Sequence, residues 1–481
     1  MKRVIAAALA AAVSSTAFAA TDPRTLPTKL APAWQAKTRE LFKQVIEIPT
    51  VHNRGEVPRM AKLLADRFRA AGIPDADIHI MPYEALPGDQ TAALIVRWRA
   101  PHATKKPMLI LGHMDVVEAK REDWKFDPFV FREQDGYFLG RGTSDMKNGD
   151  VATTMAAVKL MSEGFKPSRD IIFFYSGDEE TRGVGATLGS TKWRNLTEAE
   201  FGLNADGGCA TYDEKFRPIG CEISIAEKTF QTYLLTTRNP GGHSSRPRPD
   251  NAIYELADAL ARLARFTFPV ELNPTSRAFF EQTAKVEQPQ TAAAMRAIAA
   301  NTRDSTAAAT LSRDPRYASM LRTTCVATRL AGGHAYNALP QTATANVNCR
   351  MAPTSSVEVV RATLARVIAD TGIKISFATG QRPDFPASVP PIEPAVLTVT
   401  TELTKKMWGD IPVVPTMSTG ATDGHYLRAA GIPTYGVSGL FSLPGETNAH
   451  GRDEKLRVKS FYEGLDFLDQ LVRRLGSGVQ P

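Results

Sequence analysis

The pattern of hydrophobic positions divides the chain into three stretches that differ in the order of their predicted strands and helices. In residues 34–226, short apolar runs at 108–111 and 171–175 predict buried strands, and helical periodicity at 150–163 predicts a helix between them. This alternation is typical of an α/β layer with a largely parallel sheet. The same character returns after Pro394, where the last helix carries apolar residues on one side, namely Phe461, Leu465, Leu468 and Leu475.

The middle stretch, residues 227–387, has the order β-α-β-β-α-β, which resembles a small ferredoxin-like sandwich. Its predicted elements are strand 230–238, helix 251–266, strands 323–330 and 342–351, helix 357–368 and strand 374–378. Residues 271–320, rich in Ala, Thr, Gln and Arg, interrupt this order and predict a helical insertion to which no chemistry is assigned. We therefore expect an α/β domain built from 20–226 and 388–481, with an α+β domain inserted between its halves.

The first residues predict an export signal. Lys2 and Arg3 precede an apolar run at 4–18, and Ala17-Phe18-Ala19 offers the small-x-small pattern that signal peptidase recognises. The run is shorter than the ~20 residues of a membrane span, although an N-terminal anchor is the alternative. We expect residues 1–19 to be removed and the mature chain to be periplasmic or secreted.

Length and charge bear on the number of domains and on the class of protein. A chain of 481 residues is long for one core, which agrees with two domains. Its net charge is +7, and the Lys and Arg residues are scattered. A nucleic-acid module would need a basic stripe, and a membrane module a second apolar segment. The sequence offers neither.

The four cysteines suggest disulfides, which an oxidising compartment permits. Cys325 and Cys349 lie in two strand-like runs joined by a turn, so antiparallel pairing would bring their sulfurs opposite each other. By elimination Cys209 would then pair with Cys221. Buried free thiols are the alternative for all four.

Five short segments carry acids and histidines, several of them directly after apolar strands, where α/β sheets present their ligands. A glutamate pair at a strand end repels itself unless a cation offsets the charge. Together the segments supply two histidines and several carboxylates, which are ligands that zinc accepts. The segments are Gly112-His113-Met114-Asp115, Gly140 to Gly149 with Asp145, Gly177-Asp178-Glu179-Glu180, Asn204-Ala205-Asp206-Gly207-Gly208, and Asn448-Ala449-His450-Gly451-Arg452-Asp453-Glu454.

The order GHxD, GRGxxDMKxG, DEE, DGG and AHGxxE resembles the M20 family of metallopeptidases, which includes aminoacylases, carboxypeptidases and dipeptidases. The resemblance implies two zinc ions, with cobalt or manganese as substitutes, and a bridging hydroxide between them. It assigns Asp145 as the carboxylate shared by both ions, with His113 and Asp206 on one ion, and Glu180 and His450 on the other. Glu179 would be the general base, and Asp115 would support His113.

The resemblance also implies substrate-binding residues. His243, in a Gly-His-Ser-Ser segment, would donate to the carbonyl oxygen under attack, often from a partner subunit, so a homodimer through the inserted domain is expected. Asn337 and Arg350 would bind the substrate, because a guanidinium suits a free carboxylate. Thr419 and Gly420 belong to a Gly-rich loop that resembles the family's carboxylate-binding loop.

These residues predict a zinc-dependent hydrolase that cleaves the amide bond of small peptides, as an exo-acting carboxypeptidase or dipeptidase. An N-acyl amino acid amidohydrolase, similar to an aminoacylase, uses the same site and is the alternative. A non-catalytic peptide-binding protein is a remote third reading, since such a relative would be expected to lack ligands or Glu179, and all are present.

Overall fold

The computed structural model describes residues 30–208, 210–353, 355–378 and 389–477. The predicted signal segment 1–19 and Cys209 lie outside the described residues, so the signal prediction is untested there. Among the described helices, none combines the length and the apolar character needed to cross a membrane.

The helices, in chain order, are α1 (Pro32–Ile46), α2 (Val57–Ala70), α3 (Lys147–Ser162), α4 (Val184–Ser190), α5 (Arg194–Thr197), α6 (Ala252–Arg265), α7 (Pro274–Thr283), α8 (Pro289–Ala300), α9 (Ser305–Leu311), α10 (Pro315–Leu321), α11 (Val357–Ile368), α12 (Pro394–Trp408), α13 (Gly424–Ala429) and α14 (Val458–Gly476). The strands are β1 (Ile78–Leu86), β2 (Asp89–Trp98), β3 (Met108–His113), β4 (Arg132–Gln134), β5 (Tyr137–Leu139), β6 (Ile171–Ser176), β7 (Phe201–Asn204), β8 (Ala210–Tyr212), β9 (Pro218–Glu227), β10 (Thr229–Arg238), β11 (Gly242–His243), β12 (Thr324–Gly332), β13 (Ala338–Leu339), β14 (Thr342–Met351), β15 (Lys374–Phe377), β16 (Val413–Ser418), β17 (Thr434–Gly436), β18 (Phe441–Ser442) and β19 (Lys455–Arg457).

The largest sheet has ten strands drawn from both ends of the chain. Its order is β1-β2-β6-β3-β7-β17-β9-β8-β18, and β16 pairs with β9. The central strands β6, β3, β7 and β17 run parallel, whereas β1 and β2 form an antiparallel hairpin at one edge. Every residue of β3 and β6 is buried, which explains why the sequence of each strand is a nearly continuous apolar run. The fold is therefore mixed α/β around a mainly parallel sheet, as the sequence predicts.

The second sheet has four antiparallel strands in the order β12-β14-β10-β15. Helices α6 and α11 cover it through Leu256, Val360 and Leu364. Asn251 caps α6 by accepting hydrogen bonds from the backbone of Ile253 and Tyr254. This order of strands and helices is consistent with the ferredoxin-like arrangement expected for residues 227–387, and the division of the chain into domains stays a prediction.

Residues 271–320 are helical, as predicted, and form α7 to α10. Their apolar faces make a separate core with Phe280, Met295 and Leu321, to which Val414 and Met417 of β16 also belong. The insertion therefore packs against the ten-stranded sheet. The sequence pattern predicts a buried face for these helices, but it does not identify the surface that buries it.

One of the two predicted disulfides is present. Cys325 and Cys349 face each other across the β12–β14 ladder and form a bridge. The predicted bridge between Cys209 and Cys221 is wrong, because Cys221 is a free, buried thiol. Cys221 pairs in register with Ala210 of β8 and lies in a small apolar core with Phe441.

Candidate metal centre

Three neighbouring parallel strands deliver most of the predicted ligands to one edge of the large sheet. His113 is the last residue of β3, the Glu179-Glu180 pair follows β6, and Asp206 follows β7. Since β3 pairs with both β6 and β7 in parallel, the three carboxyl ends meet at one place. This is the edge at which open α/β sheets bind their ligands.

Asp145 lies between His113 and His450, two histidines that are far apart in the sequence. Its Oδ1 atom is 3.3 Å from His113 Nε2, and its Oδ2 atom is 3.1 Å from His450 Nε2. His450 Nε2 is also 2.9 Å from Glu180 Oε1. Ligand atoms of His113, Asp145 and Glu180 all lie within 4.8 Å of one another, which is a spacing that could hold a metal ion. Each oxygen of Asp145 thus faces a different set of ligands.

The surroundings of His113 Nε2 indicate whether a cation fits this site. The atom is buried and has no hydrogen-bond partner among the described residues. Around it lie Asp206 Oδ2 at 3.8 Å and Glu179 Oε2 at 4.0 Å, in addition to Asp145. A buried nitrogen without a partner is costly, as are several carboxylates packed together. Imidazole and carboxylate are also the donors that divalent transition metals accept, so the residues fit such an ion.

The pKa values in the cluster show the same crowding of negative charge. Burial alone would lower the pKa of His113, but the carboxylates of Asp115 and Asp145 outweigh it and raise that pKa well above its usual value. Asp145 and Glu180 raise the pKa of His450 to about 10. Burial raises the pKa of both Glu179 and Asp206 well above the usual range. In the absence of a cation, the cluster therefore favours bound protons, which a divalent ion would displace.

Asp115 connects two of the ligand segments. Its Oδ1 accepts the backbone N–H of Glu179 at 3.1 Å, and its Oδ2 accepts that of Glu180 at 3.0 Å. Asp115 Oδ1 is also 3.5 Å from His113 Nδ1, which lies 3.0 Å from the Asp115 carbonyl oxygen. Asp115 therefore contacts both the imidazole and the backbone of the glutamate pair, and its supporting role in metal binding stays a prediction.

Glu454 has a position that the sequence did not reveal. Its carboxylate is fully buried and accepts the backbone N–H groups of Gly142, Ser144 and Asp145 at 3.2, 2.7 and 3.1 Å. Arg141 forms a 2.7 Å ion pair with the same carboxylate and donates to the carbonyl of Gly451 at 3.0 Å. Glu454 and Arg141 thereby connect the Asp145 loop to the His450 loop. Glu454 is the last residue of the AHGxxE segment, and this position in the motif could have pointed to its structural role.

A cavity of about 410 Å³ opens beside the cluster and is lined in part by Asp145 and Asp206. Thr419 lies in its wall, while Gly420 is exposed and its N–H group donates to Ser418 Oγ at 3.2 Å; their binding of substrate stays a prediction. Asn148 also lines the cavity, and its Oδ1 atom is buried without a hydrogen-bond partner in the described part of the chain. The sequence analysis did not single out Asn148.

Three further predicted residues lie in the inserted segment. His243 is in β11, which forms a separate two-stranded sheet with β13, Asn337 directly precedes β13, and Arg350 is in β14 of the smaller, four-stranded sheet. His243 is exposed, and its Nδ1 atom is 2.8 Å from Ser245 Oγ. Asn337 is exposed and accepts the N–H of Ser244 through its carbonyl. The Arg350 guanidinium stacks on the Phe230 ring at 4.9 Å. The described contacts of these three residues link them to their own sheet and loops, so their roles at the cluster stay predictions.

Comparison with known proteins agrees with this geometry. Residues 109–474 match the model of Peptidase family M20/M25/M40. The chain is 28% identical over 399 residues to probable carboxypeptidase S-like 2 of Dictyostelium discoideum, covering 79% of this chain and 74% of the relative. It is 24% identical over 447 residues to aminoacylase-1 of Mus musculus, covering 91% and 95%.

A solved structure shares the fold. The M20 family metallo-carboxypeptidase from Sulfolobus solfataricus superposes with a TM-score of 0.69 at 18% identity, covering 91% of this chain and 99% of that one. At this identity the likeness concerns the fold alone. Because the family model spans most of its length and the ligand segments meet at one sheet edge, this chain belongs to peptidase family M20/M25/M40 and is a hydrolase of that family.

Proposed function

We propose that the protein is an exported, two-zinc hydrolase that cleaves the amide bond of small peptides next to a free carboxylate. The observation that carries the proposal is Asp145, whose two oxygens face His113 on one side and His450 on the other. Asp145 would be shared by both ions, with His113 and Asp206 on the first and Glu180 and His450 on the second. Two such ions, when bound, act as Lewis acids on the amide carbonyl and on the attacking water.

Glu179 is the proposed general base. Burial and the neighbouring carboxylate of Asp206 raise its pKa, which suits a group that must take a proton near neutral pH and then release it. Its carboxylate would accept a proton from the attacking water and pass it to the nitrogen of the leaving amine. Asp115 fixes the backbone on which Glu179 stands, so the carboxylate is held in place before the substrate binds.

The substrate would be bound by residues from both sheets. Thr419 lines the cavity beside Asp206, and Gly420 follows it in the same loop. His243 would stabilise the oxyanion of the attacked carbonyl, while Asn337 and Arg350 would bind the free carboxylate. His243 and Asn337 lie at the β11–β13 ladder and Arg350 lies in β14, so their roles require that these segments, or those of a partner subunit, face the cluster.

A homodimer through the smaller sheet is part of the proposal. Strand β12 lies at the edge of that sheet and exposes Val326 and Leu330 at 60% and 70%. Tyr254 of α6 is 68% exposed as well. An edge strand with exposed apolar side chains favours pairing with another chain. Light scattering of the parent and of Leu330→Lys tests this, and a monomeric parent would contradict it.

Export is supported by the predicted signal at 1–19 and by the Cys325–Cys349 bridge, because disulfides persist in oxidising compartments. Mass spectrometry of the exported protein should find Ala20 as its first residue. An intact Lys2 and Arg3 in the mature protein would contradict the proposal.

The second candidate function is that of an N-acyl amino acid amidohydrolase. It is favoured by the match to aminoacylase-1, which spans nearly all of both chains. Both activities use the same cluster and differ in the group on the acyl side. Assaying dipeptides and N-acetyl amino acids on the purified enzyme separates them, with kcat/KM for each substrate as the measurement.

Glu179→Gln tests the mechanism itself. The variant should keep both metal ions and lose about 10²–10⁴-fold in kcat, the usual contribution of a general base. Glu118→Gln is the matched control, since Glu118 forms an exposed ion pair with Arg54 on the surface. If Glu179→Gln turns over as fast as the parent with full metal content, the assignment of the base is wrong.

A further inference from the structure

A buried ion pair lies behind the loop that forms part of the cavity wall. Glu227, the last residue of β9, is 2.7 Å from Arg428 of α13, and both residues are only 3% exposed. Arg428 also donates to the carbonyl oxygen of Thr434 in β17 at 2.9 Å. Within the part of the chain that the structure describes, neither Glu227 nor Arg428 lines the cavity. The pair can therefore act on the site only through the residues that it contacts.

Thr422 connects Glu227 to the cavity. Glu227 Oε2 accepts the backbone N–H of Thr422 at 2.9 Å, and Glu227 Oε1 accepts the Thr422 hydroxyl at 2.7 Å. Thr422 lines the cavity together with Thr419, three residues earlier in the same loop. Hydrogen bonds to an ionised acceptor are stronger than those between neutral groups. Glu227 therefore anchors both the backbone and the side chain of this loop.

The hydrogen bonds of the Thr422 hydroxyl have a fixed direction. Because an ionised carboxylate can only accept, the hydroxyl donates to Glu227. Its oxygen accepts the side-chain amide of Asn204 at 2.8 Å and the N–H of Gly424 at 3.1 Å. The other end of that amide, Asn204 Oδ1, accepts the backbone N–H of Asp206 at 3.0 Å. The charge of Glu227 thus sets the direction of a chain of three hydrogen bonds that ends at a proposed metal ligand.

We propose that Glu227 is a positioning residue, which fixes both Asp206 and the cavity loop through the hydroxyl of Thr422. The inference rests on the proposed two-metal function, in which Asp206 shares an ion with His113. Hydrogen bonds behind a metal ligand orient it, and their loss usually weakens metal binding by about 10–100-fold. Removing the hydroxyl should weaken this ion selectively, because no described contact of the network reaches the other histidine ligand or its glutamate.

Thr422→Val removes the hydroxyl and keeps a branched side chain of similar shape. In competition with a chelator of known zinc affinity, the variant should bind the ion at Asp206 about 10–100-fold more weakly and the other ion less than about threefold more weakly. Thr422→Ser keeps the hydroxyl and should bind zinc as the parent does. Thr400→Val is the matched control, because Thr400 is buried in α12 and its hydroxyl has no hydrogen-bond partner among the described residues.

Glu227→Gln tests the charge at the start of the chain of hydrogen bonds. Glutamine offers one acceptor oxygen, so it cannot accept both the hydroxyl and the N–H of Thr422 as the carboxylate does. The same selective loss of zinc affinity should follow, together with a lower unfolding midpoint, because Arg428 loses its buried partner. Asp469→Asn is the control: Asp469 is 3% exposed and lies 3.2 Å from Lys159 between α14 and α3. It should lower the midpoint and leave zinc affinity unchanged.

Hydrogen exchange tests the same network in the absence of metal. In metal-free Thr422→Val, residues 204–208 and 419–424 should exchange their amide hydrogens about 2–10-fold faster than in the parent, the factor of one net hydrogen bond. Thr422→Ser should exchange as the parent does. With saturating Zn²⁺ and a dipeptide substrate, Thr422→Val should also raise KM, because the loop proposed to bind the substrate carboxylate has lost its anchor.

The inference is overturned if Thr422→Val weakens both ions equally or neither of them, or if Thr422→Ser loses as much affinity as Thr422→Val. Failure of the proposed function looks different, since the parent would then bind fewer than two zinc ions, or would hydrolyse neither dipeptides nor N-acyl amino acids. In that event the hydrogen exchange of the metal-free variants still decides. Unchanged exchange at 204–208 in Thr422→Val would show that the network does not position Asp206.

Discussion

Replacing Glu454 by glutamine removes one negative charge from the contact that connects the two ends of the metal site. The carboxylate is fully buried, and its partner Arg141 has a side chain that is 3% exposed. The same carboxylate accepts the backbone N–H groups of Gly142, Ser144 and Asp145. Glutamine is similar in size, so the change tests charge and hydrogen bonding with little change in volume.

The expected loss in the free energy of unfolding follows from these contacts. Removing one partner of a buried ion pair costs about 3–5 kcal/mol, because the remaining charge stays buried without compensation. The amide NH₂ of glutamine would also point a donor at one set of donors, and each buried donor left without an acceptor costs about 1–3 kcal/mol. The total is a large part of the ~5–15 kcal/mol that stabilises a typical domain. We expect a folded protein with a much lower unfolding midpoint.

Metal affinity should fall as well, by about 10–100-fold, because glutamine keeps only one of the two acceptor oxygens that orient the loop carrying Asp145. Urea unfolding of the metal-free protein measures the first effect, and calorimetric titration with Zn²⁺ measures the second. Glu133→Gln is the control: its ion pair with Arg39 is exposed on both sides, so the same substitution should cost less than about 1 kcal/mol.

The double variant Arg141→Met, Glu454→Gln separates charge from positioning. Removing the uncompensated arginine should recover part of the lost stability, while the Zn²⁺ affinity should stay low because glutamine offers the loop only one acceptor oxygen in place of two. If Glu454→Gln binds two ions with the affinity of the parent, then Glu454 does not position Asp145 and the reasoning is wrong.

Three further predictions concern the ligands, the pH response and the disulfide. His450→Ala should lose the ion shared with Glu180 and keep the one at His113, so metal analysis should find about one ion per chain; simultaneous loss of both would contradict separate ligand sets. The metal-free parent should lose stability relative to metal-free His450→Ala as the pH rises from about 6.5 towards about 10, because the folded parent keeps on His450 a proton that the unfolded chain has released. Unfolding midpoints across this range measure the slope, which added Zn²⁺ should reduce, and a flat profile would refute it. Reduction of the Cys325–Cys349 bridge, which spans 24 residues, should lower the free energy of unfolding by about 3 kcal/mol. Cys221→Ala should respond to reductant as the parent does, and an unchanged midpoint for both would contradict the estimate.

The sequence predicted those features that depend on short segments. Strands β3 and β6 are buried on both faces, so their apolar runs are continuous; the candidate ligand His113 ends β3, and the Glu179-Glu180 pair follows β6. The candidate ligands could be named from the sequence because each lies in a short segment with a recognisable pattern. Strand β14 alternates between buried and half-buried positions, and its pairing with β12 brings Cys325 and Cys349 together as expected.

Features that depend on long-range contacts were missed. The hydrogen bond from Asp145 to Glu454 joins residues 309 positions apart, and no local pattern encodes it. Pairing Cys209 with Cys221 by elimination ignored strand register, which places Cys221 opposite Ala210. The helices of the insertion show which face is apolar, but their docking on β16 depends on a surface that is assembled only in the folded protein.

The contact between His450 and Glu180 spans 270 residues, and it constrains when the site can exist during biosynthesis. At ~5–20 residues per second, the ribosome needs roughly 15–50 s after Glu180 to add His450. Throughout that interval the nascent polypeptide carries an acidic cluster that lacks its second imidazole. If Glu180 and His450 share an ion as proposed, that ion can bind its full set of ligands only after His450 has been added, so the growing polypeptide would lack a complete catalyst.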